Sequence, residues 1–198
     1  MIKVIIFDIG GVTIKEPMSS IYKDVGRKFK TSAERIKQKY LEIDSLISTN
    51  KISAKKFWWK LAKKLQIEDV GLLETIWIKS LKENAPFNKN VVKLINDLKE
   101  KGYKVATLSN TLKPHEKVHR KAGCYKFFSK VFLSDRLGMK KPDAEIYRYV
   151  SRALNVRPDE CVFIDDKLEN VVGARKVGMK AILFKNAQQL GKEVKRYL

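Results

Sequence analysis

Acidic residues are scarce in this chain: 22 Asp and Glu stand against 42 Lys and Arg in 198 residues, a formal net charge of +20. Cysteine is scarcer still. Two thiols, Cys124 and Cys161, do not make the disulfide framework of a small secreted domain, and Cys161 opens an apolar run that reads as a core strand. No Cys/His cluster is found with zinc spacing, so neither a disulfide nor zinc is expected. No uninterrupted apolar run approaches the ~20 residues of a membrane span. The apolar stretch at the start is short, broken by Asp8 and followed by no cleavage-like site, and a cytoplasmic protein with no membrane partner is the expectation. Internal repeats, low-complexity tracts and disordered linkers are also missing.

What is present suffices for a folded α/β unit. Hydrophobic residues make up 44% of the chain, enough for a sizeable core. From about residue 89 onward helices alternate with strands. The pattern predicts helices over Val91–Lys101, His115–Gly123, Ala144–Leu154 and Asn170–Val177, and strands over Tyr103–Leu108, Val131–Ser134, Cys161–Asp165 and Lys180–Phe184, with a short terminal helix after Gln188. Such alternation means a parallel sheet wrapped by helices. Gly102, Gly123 and Gly178 follow cationic helix ends as C-terminal caps do. Residues 15–88 differ in character: they offer no good strand, and apolar residues recur at helical spacing, as in Ile36, Tyr40, Ile43, Ile47 and in Phe57, Leu61, Leu65.

The chemistry is concentrated where apolar runs meet small polar or acidic residues. Val4-Ile-Ile-Phe7 runs into Asp8 and then Gly10-Gly11, which presents a carboxylate at the carboxyl end of a buried strand. Lys104 to Leu108 runs into Ser109-Asn110-Thr111, Gly138-Met-Lys140-Lys141-Pro142-Asp143 precedes a helical stretch, and Cys161-Val-Phe-Ile164 runs into Asp165-Asp166. Any one of these is commonplace, since Asp often closes a strand by bonding the turn backbone. Together they supply a nucleophile, a hydroxyl, a cation and a metal-binding carboxylate.

In order and spacing these four segments resemble the haloacid dehalogenase superfamily of hydrolases over essentially the whole chain. The resemblance implies a Rossmann-like parallel-sheet core over 1–14 and 89–198, with a helical cap over 15–88. It implies Asp8 as nucleophile, Ser109, Asn110 and Lys141 on a phosphoryl group, and Mg2+ held by Asp8, Asp166 and the Gly10 carbonyl. Asp165 and Asn170 would orient metal waters or the lysine. The residue types suit the task. A carboxylate can attack phosphorus and split one hard displacement into two, while a hard cation and a lysine neutralise the charge of the phosphoryl group.

Position 10 departs from the pattern. Most phosphatases of this superfamily read Asp-x-Asp-Gly, and the second Asp protonates the leaving oxygen and later activates water. Here it is Gly10, and Val12 stands where Thr is usual, with Thr13 one place late. A bacterial subgroup described as glucose-1-phosphate phosphatases, some with this same glycine, and the N-terminal phosphatase domain of mammalian soluble epoxide hydrolases are similar over all four motifs. The expectation is a Mg-dependent phosphatase of a small phosphorylated metabolite, with His115 considered as a substitute proton donor. The alternatives are a catalytically weakened protein that binds an anionic ligand or nucleic acid through its basic cap, and a 2-haloacid dehalogenase. Dehalogenases usually carry Tyr at position 10 and a fourth motif that binds no metal, unlike Asp165-Asp166.

The segment 15–64 carries 14 Lys and Arg against 5 acids, a field that would speed capture of anionic substrates and promote salt-sensitive, non-specific nucleic-acid binding. No nucleic-acid motif beyond charge is present. Trp58 and Trp59 point in different directions on one helix, so one could pack in the cap while the other faces the cleft. Tyr22 and Phe29 read as cap packing.

Overall fold

The computed structural model describes residues 1–198. Its centre is a five-stranded sheet, all parallel, of β1 (Val4–Phe7), β2 (Lys104–Ser109), β3 (Lys130–Leu133), β4 (Cys161–Asp165) and β5 (Lys180–Leu183), in the order β3-β2-β1-β4-β5. Strand β1 lies in the middle and is apolar throughout because helices cover both faces. Its side chains alternate between two cores. Ile5 and Phe7 join Val105, Val162 and Ile164 beneath helices α5 (Lys89–Glu100) and α10 (Ala187–Val194). Val4 and Ile6 join Ala106, Leu108 and Phe163 beneath α8 (Ala144–Ala153) and α9 (Leu168–Lys176).

Strand order reverses at β1, so the carboxyl ends of β1, β2 and β4 open one crevice, the place where open α/β sheets bind ligands. Register fixes what lies there. Phe7 is level with Thr107 and Ile164, so the next residue of each strand, Asp8, Leu108 and Asp165, forms one row at the sheet's edge.

Helices α1 (Met18–Phe29), α2 (Ala33–Ser48), α3 (Ala54–Leu65) and α4 (Val70–Asn84) pack around their own core of Ile21, Val25, Ile36, Ile43, Phe57, Leu61, Leu73 and Trp77. Their starts are written locally: the side chains of Ser32, Ser53 and Asp69 accept from the backbone N–H three residues on. The chain enters and leaves this unit side by side. Lys15 N–H donates to the Pro86 carbonyl and Asn88 N–H to the Thr13 carbonyl, each at 2.9 Å. Leu112 and Val118, around helix α6 (Lys113–Lys121), complete the cap's apolar cluster from below.

Observed elements agree with the expected ones to within two or three residues at their ends. Two details differ. A one-turn helix α7 (Ser134–Leu137) follows β3, and Gly138 ends it with φ of 69°. Trp58 and Trp59 divide differently from the sequence reading. Trp58 is buried in the cap, edge-to-face with Phe57 and Trp77, whereas Trp59 is 52% exposed with the Lys63 ammonium over its ring. Neither lines the cleft.

Candidate active site

Lys141 is the hub. Its ammonium, 2% exposed as a residue, lies 2.8 Å from Asp8 Oδ1 and 2.6 Å from Asp165 Oδ2, and donates to the Leu108 carbonyl at 2.9 Å. Three acceptors saturate its three donors. The lysine is itself held in place: Asn110 Oδ1 accepts from Lys141 N–H at 2.9 Å, and Asn110 Nδ2 donates to the Lys141 carbonyl at 2.8 Å. Asn110, expected on the phosphoryl group, lines the cleft and also clamps the lysine backbone through both polar atoms of its carboxamide. Ser109 ends β2, buried beside them.

Asp165 is fixed from its other side. Its Oδ1 accepts from Lys167 N–H and from Asn170 Nδ2, both at 2.9 Å. Asp8 has its backbone N–H on the Ile164 carbonyl, and its own carbonyl accepts from Thr13 Oγ1 at 2.7 Å. Thr13, one position late by motif, is fully buried and closes the turn through this bond, while Val12 packs in the core.

Asp166 packs over Gly11. A Cβ on Gly11 would stand 2.2 Å from Asp166 Oδ2, and Gly11 has φ of 80°, so both space and conformation require glycine there. Gly10 is the opposite case: it lines the cleft, and nothing lies within 4 Å of where its Cβ would be.

Carboxylate oxygens of Asp8, Asp165 and Asp166 lie within 4.8 Å of one another. Three carboxylates around one ammonium leave two negative charges uncompensated when all ionise, which a divalent cation would match. The donor set is all oxygen, and Asp166 Oδ1 and Asn170 Oδ1 are buried without partners. A hard cation such as magnesium fits this set. Without one, burial pushes the Asp8 carboxyl up to about 7, with Lys141 opposing and Asp165 and Asp166 adding to the rise. Burial also raises Asp166, and Asp165 adds to it. For Lys141 burial acts downward, but Asp8 and Asp165 outweigh it, so the ammonium stays charged.

The cleft above this row has a volume of about 440 Å³. Its cap wall is made by Tyr22 and Tyr40, with Glu16, Lys37 and Asp44, and helix α6 contributes His115 and His119. The tyrosines read from sequence as plain packing, yet they border the cleft. Tyr40 donates to Asp44 at 2.7 Å.

His115, Glu116 and His119 form an i, i+4 histidine pair with an intervening Glu, a zinc-type spacing that the motif reading passed over. It does not make a zinc site here. Glu116 is held by Arg120 and Arg136 at 2.8 and 2.7 Å, and the sole group of three or more candidate ligands is the Asp8 cluster. Nor is His115 the substitute acid. Its Nε2 accepts from Trp77 Nε1 at 2.8 Å, and burial pushes its pKa down to about 3. A neutral imidazole has no dissociable proton to lend near pH 7.

A pH dependence of stability follows. Burial lowers His119 to about 4, whereas an unfolded histidine titrates near 6.5. The unfolded chain therefore binds protons that the folded chain refuses, and the stability gained from neutral histidines is complete above pH 6.5 and lost as pH falls below it. Each contributes about 1.4 kcal/mol per pH unit in that range. Urea unfolding at pH 7.5 and pH 5 is expected to show wild type losing about 2 kcal/mol more than His119→Leu over the interval.

Residues 2–178 match the model of the haloacid dehalogenase-like hydrolases, and the chain belongs to that family. It resembles glyceraldehyde 3-phosphate phosphatases of Methanothermobacter thermautotrophicus, 39% identical over 101 residues, and Pyrococcus furiosus, 37% identical over 105. Each match covers 50% of this chain, and 44% and 43% of those relatives; the chain spans less than half of their length. A solved family member from Bacteroides thetaiotaomicron, in complex with magnesium and inorganic phosphate, is 25% identical with a TM-score of 0.74, over 94% of this chain and 96% of its own. An L-2-haloacid dehalogenase from Xanthobacter autotrophicus, 21% identical over 99% of this chain and 83% of its own, shares the fold with a TM-score of 0.70. No helix is long and apolar enough to cross a membrane.

Proposed function

We propose that the protein is a magnesium-dependent phosphatase of a small phosphorylated metabolite, acting through a phosphorylated Asp8. The observation that carries this reading is the Asp8–Lys141–Asp165 row with Asp166 beside it. Asp8, Asp166 and the Gly10 carbonyl would hold magnesium, which when bound neutralises phosphoryl charge and draws Asp8 toward its ionised form. Lys141, charged and pinned by Asn110, supplies the second cation at the phosphoryl oxygens. Ser109 at the end of β2 offers a hydroxyl to the same group. Asp8 then attacks phosphorus, the bond to the leaving oxygen breaks, and water later releases phosphate from the aspartyl ester. The family's phosphatase relatives support phosphoryl chemistry.

The missing acid at position 10 favours a second reading, an anion-binding member with weakened turnover. A proton must still reach the leaving oxygen, and Gly10 provides none, so good leaving groups are favoured. The dehalogenase reading needs no acid, but it leaves Asp166 without a role.

Phosphate release from an activated aryl phosphate and from sugar and nucleotide monophosphates, with and without magnesium, tests this directly. Magnesium-dependent turnover is expected, lost in Asp8→Asn. Activity surviving in pure Asp8→Asn protein would remove the nucleophile. An inert aryl phosphate would leave anion binding, and halide release from 2-haloacids would move the protein to the dehalogenases.

A further inference from the structure

Helix α3 turns its two faces to different surroundings. Phe57, Trp58, Leu61 and Leu65 are buried in the cap core, while Lys55, Lys56, Trp59 and Lys63 stand exposed on the outer face, with Lys55, Trp59 and Lys63 one turn apart. Lys60 lies half-buried at the border. The helix carries Lys55, Lys56, Lys60, Lys63 and Lys64 and no acid. Lys64 is paired with Glu42, which Lys39 shares. The other lysines of α3 have no carboxylate partner.

This face is unfavourable to the helix in the free protein. Lys55 and Lys56 sit in the first turn, where the helix dipole disfavours cations, and Lys56, Lys60 and Lys64 repeat at the i, i+4 spacing at which like charges oppose a helix. Trp59 is left 52% exposed and does not line the cleft, although an indole is among the largest apolar groups. The Lys63 ammonium lies 5.2 Å from its ring centre. An apolar plane among unpaired cations matches a ligand that carries flat π surfaces on a chain of anions. A duplex offers only the anions, because its base faces are hidden in the stack. An anionic bilayer would need an apolar helix face to insert, and that of α3 is already buried in the cap.

We propose that the outer face of α3 is a docking surface for single-stranded nucleic acid, with a base stacked on Trp59 and phosphates on Lys55, Lys56 and Lys63. The stripe from Lys55 to Lys63 runs about 12 Å along the helix, enough for a few nucleotides. None of these residues lines the cleft, so the surface stands or falls separately from the phosphatase reading. Binding here is sequence-tolerant, because every base has a π face.

Fluorescence anisotropy of labelled oligo(dT), oligo(U) and a DNA duplex of equal length, titrated with untagged protein at several salt concentrations, tests this. Both single strands are expected to bind, with a slope of log K against log salt of about −2 for three phosphates neutralised. Trp59→Ala, an exposed change to the best helix former, is expected to fold, to weaken single strands about 5- to 100-fold and to leave the duplex unchanged, and Trp59→Phe should recover most of the loss. Lys55→Gln with Lys63→Gln should flatten the salt slope by about 1.4. Lys176→Gln with Lys180→Gln removes the same charge from exposed positions of the core and should leave the slope in place. Trp58 and Trp77 are 1% and 0% exposed, so emission that iodide quenches comes from Trp59, and bound oligo(dT) is expected to protect it. No binding of single strands, affinity indifferent to Trp59→Ala, or equal effects of the two lysine pairs overturns the docking surface and leaves net charge alone. Phosphatidylserine vesicles that bind through Trp59 where oligo(dT) does not would overturn it in favour of a lipid surface.

Discussion

Replacing Lys141 with methionine is expected to cost about 3–5 kcal/mol of stability at pH 8, the usual consequence of removing one partner from a buried ion pair, and to abolish turnover. Methionine fills much of the same space, so the loss is electrostatic rather than a matter of packing. Asp165 has no exposed surface and Asp8 little, and both would face each other with no counter-charge. Folding then proceeds best with a proton bound. Asp8, already raised by burial to about 7 against Lys141, rises further when that opposing charge is gone. The sign follows: the folded variant binds a proton that the unfolded chain lacks, so stability recovers as pH falls below the new pKa. Urea unfolding of both proteins at pH 8 and pH 5.5, without magnesium, measures this. A deficit as large at pH 5.5 as at pH 8 would mean that packing, and not charge, dominates.

Gly10→Asp is expected to raise turnover on alkyl phosphates by about 10²–10⁴-fold, the range general acid–base help commonly supplies. The local structure admits the change. Gly10 has no positive φ, and nothing lies within 4 Å of the position its Cβ would take, so the backbone accepts a side chain at the cleft's edge. The gain depends on the leaving group. An alkoxide must be protonated as it departs, whereas an activated aryl oxide leaves without help, so the aryl phosphate is expected to change far less. Comparison of kcat for the two ester classes in both proteins reads this out. Equal rates for wild type and variant on an alkyl phosphate would show that another group already delivers the proton. The two neighbouring glycines thus differ sharply in tolerance, since Gly11→Ala would collide with Asp166.

Much of this was legible in the sequence because it is local. A buried central strand writes itself as an unbroken apolar run, Val4 to Phe7, and the carboxylate that ends it is one residue on. Helix starts are equally local: Ser32, Ser53 and Asp69 each cap a helix through a bond to an amide three residues away. The clamp that Asn110 makes was not legible, for the opposite reason. Its partners, the amide and carbonyl of Lys141, are 31 residues distant, and no spacing rule reports such a pairing. The tyrosines of the cap failed in the same way. Tyr22 and Tyr40 have the periodicity of packing residues and do pack, yet one edge of each borders the cleft.

The histidines mark the division most sharply. Their i, i+4 spacing is a sequence fact, and taken alone it suggests a metal. Only the tertiary structure shows Glu116 bound by two arginines, Trp77 from the cap on His115 Nε2, and His119 without partners.

By itself, the sequence determined the class of fold, the four motif segments and the absence of an acid at position 10. Each of these depends on the identity of a residue or on a period of two or 3.6 within one element. The tertiary structure decided which carboxylates share Lys141, that Gly10 has room for a side chain while Gly11 has none, and that the cap closes the cleft with tyrosines and neutral histidines. These depend on strand register and on the seating of helix α4 against α6, where groups far apart in the chain meet. Their energies are set by burial and by charge at a few ångströms, and neither exists until the chain has folded.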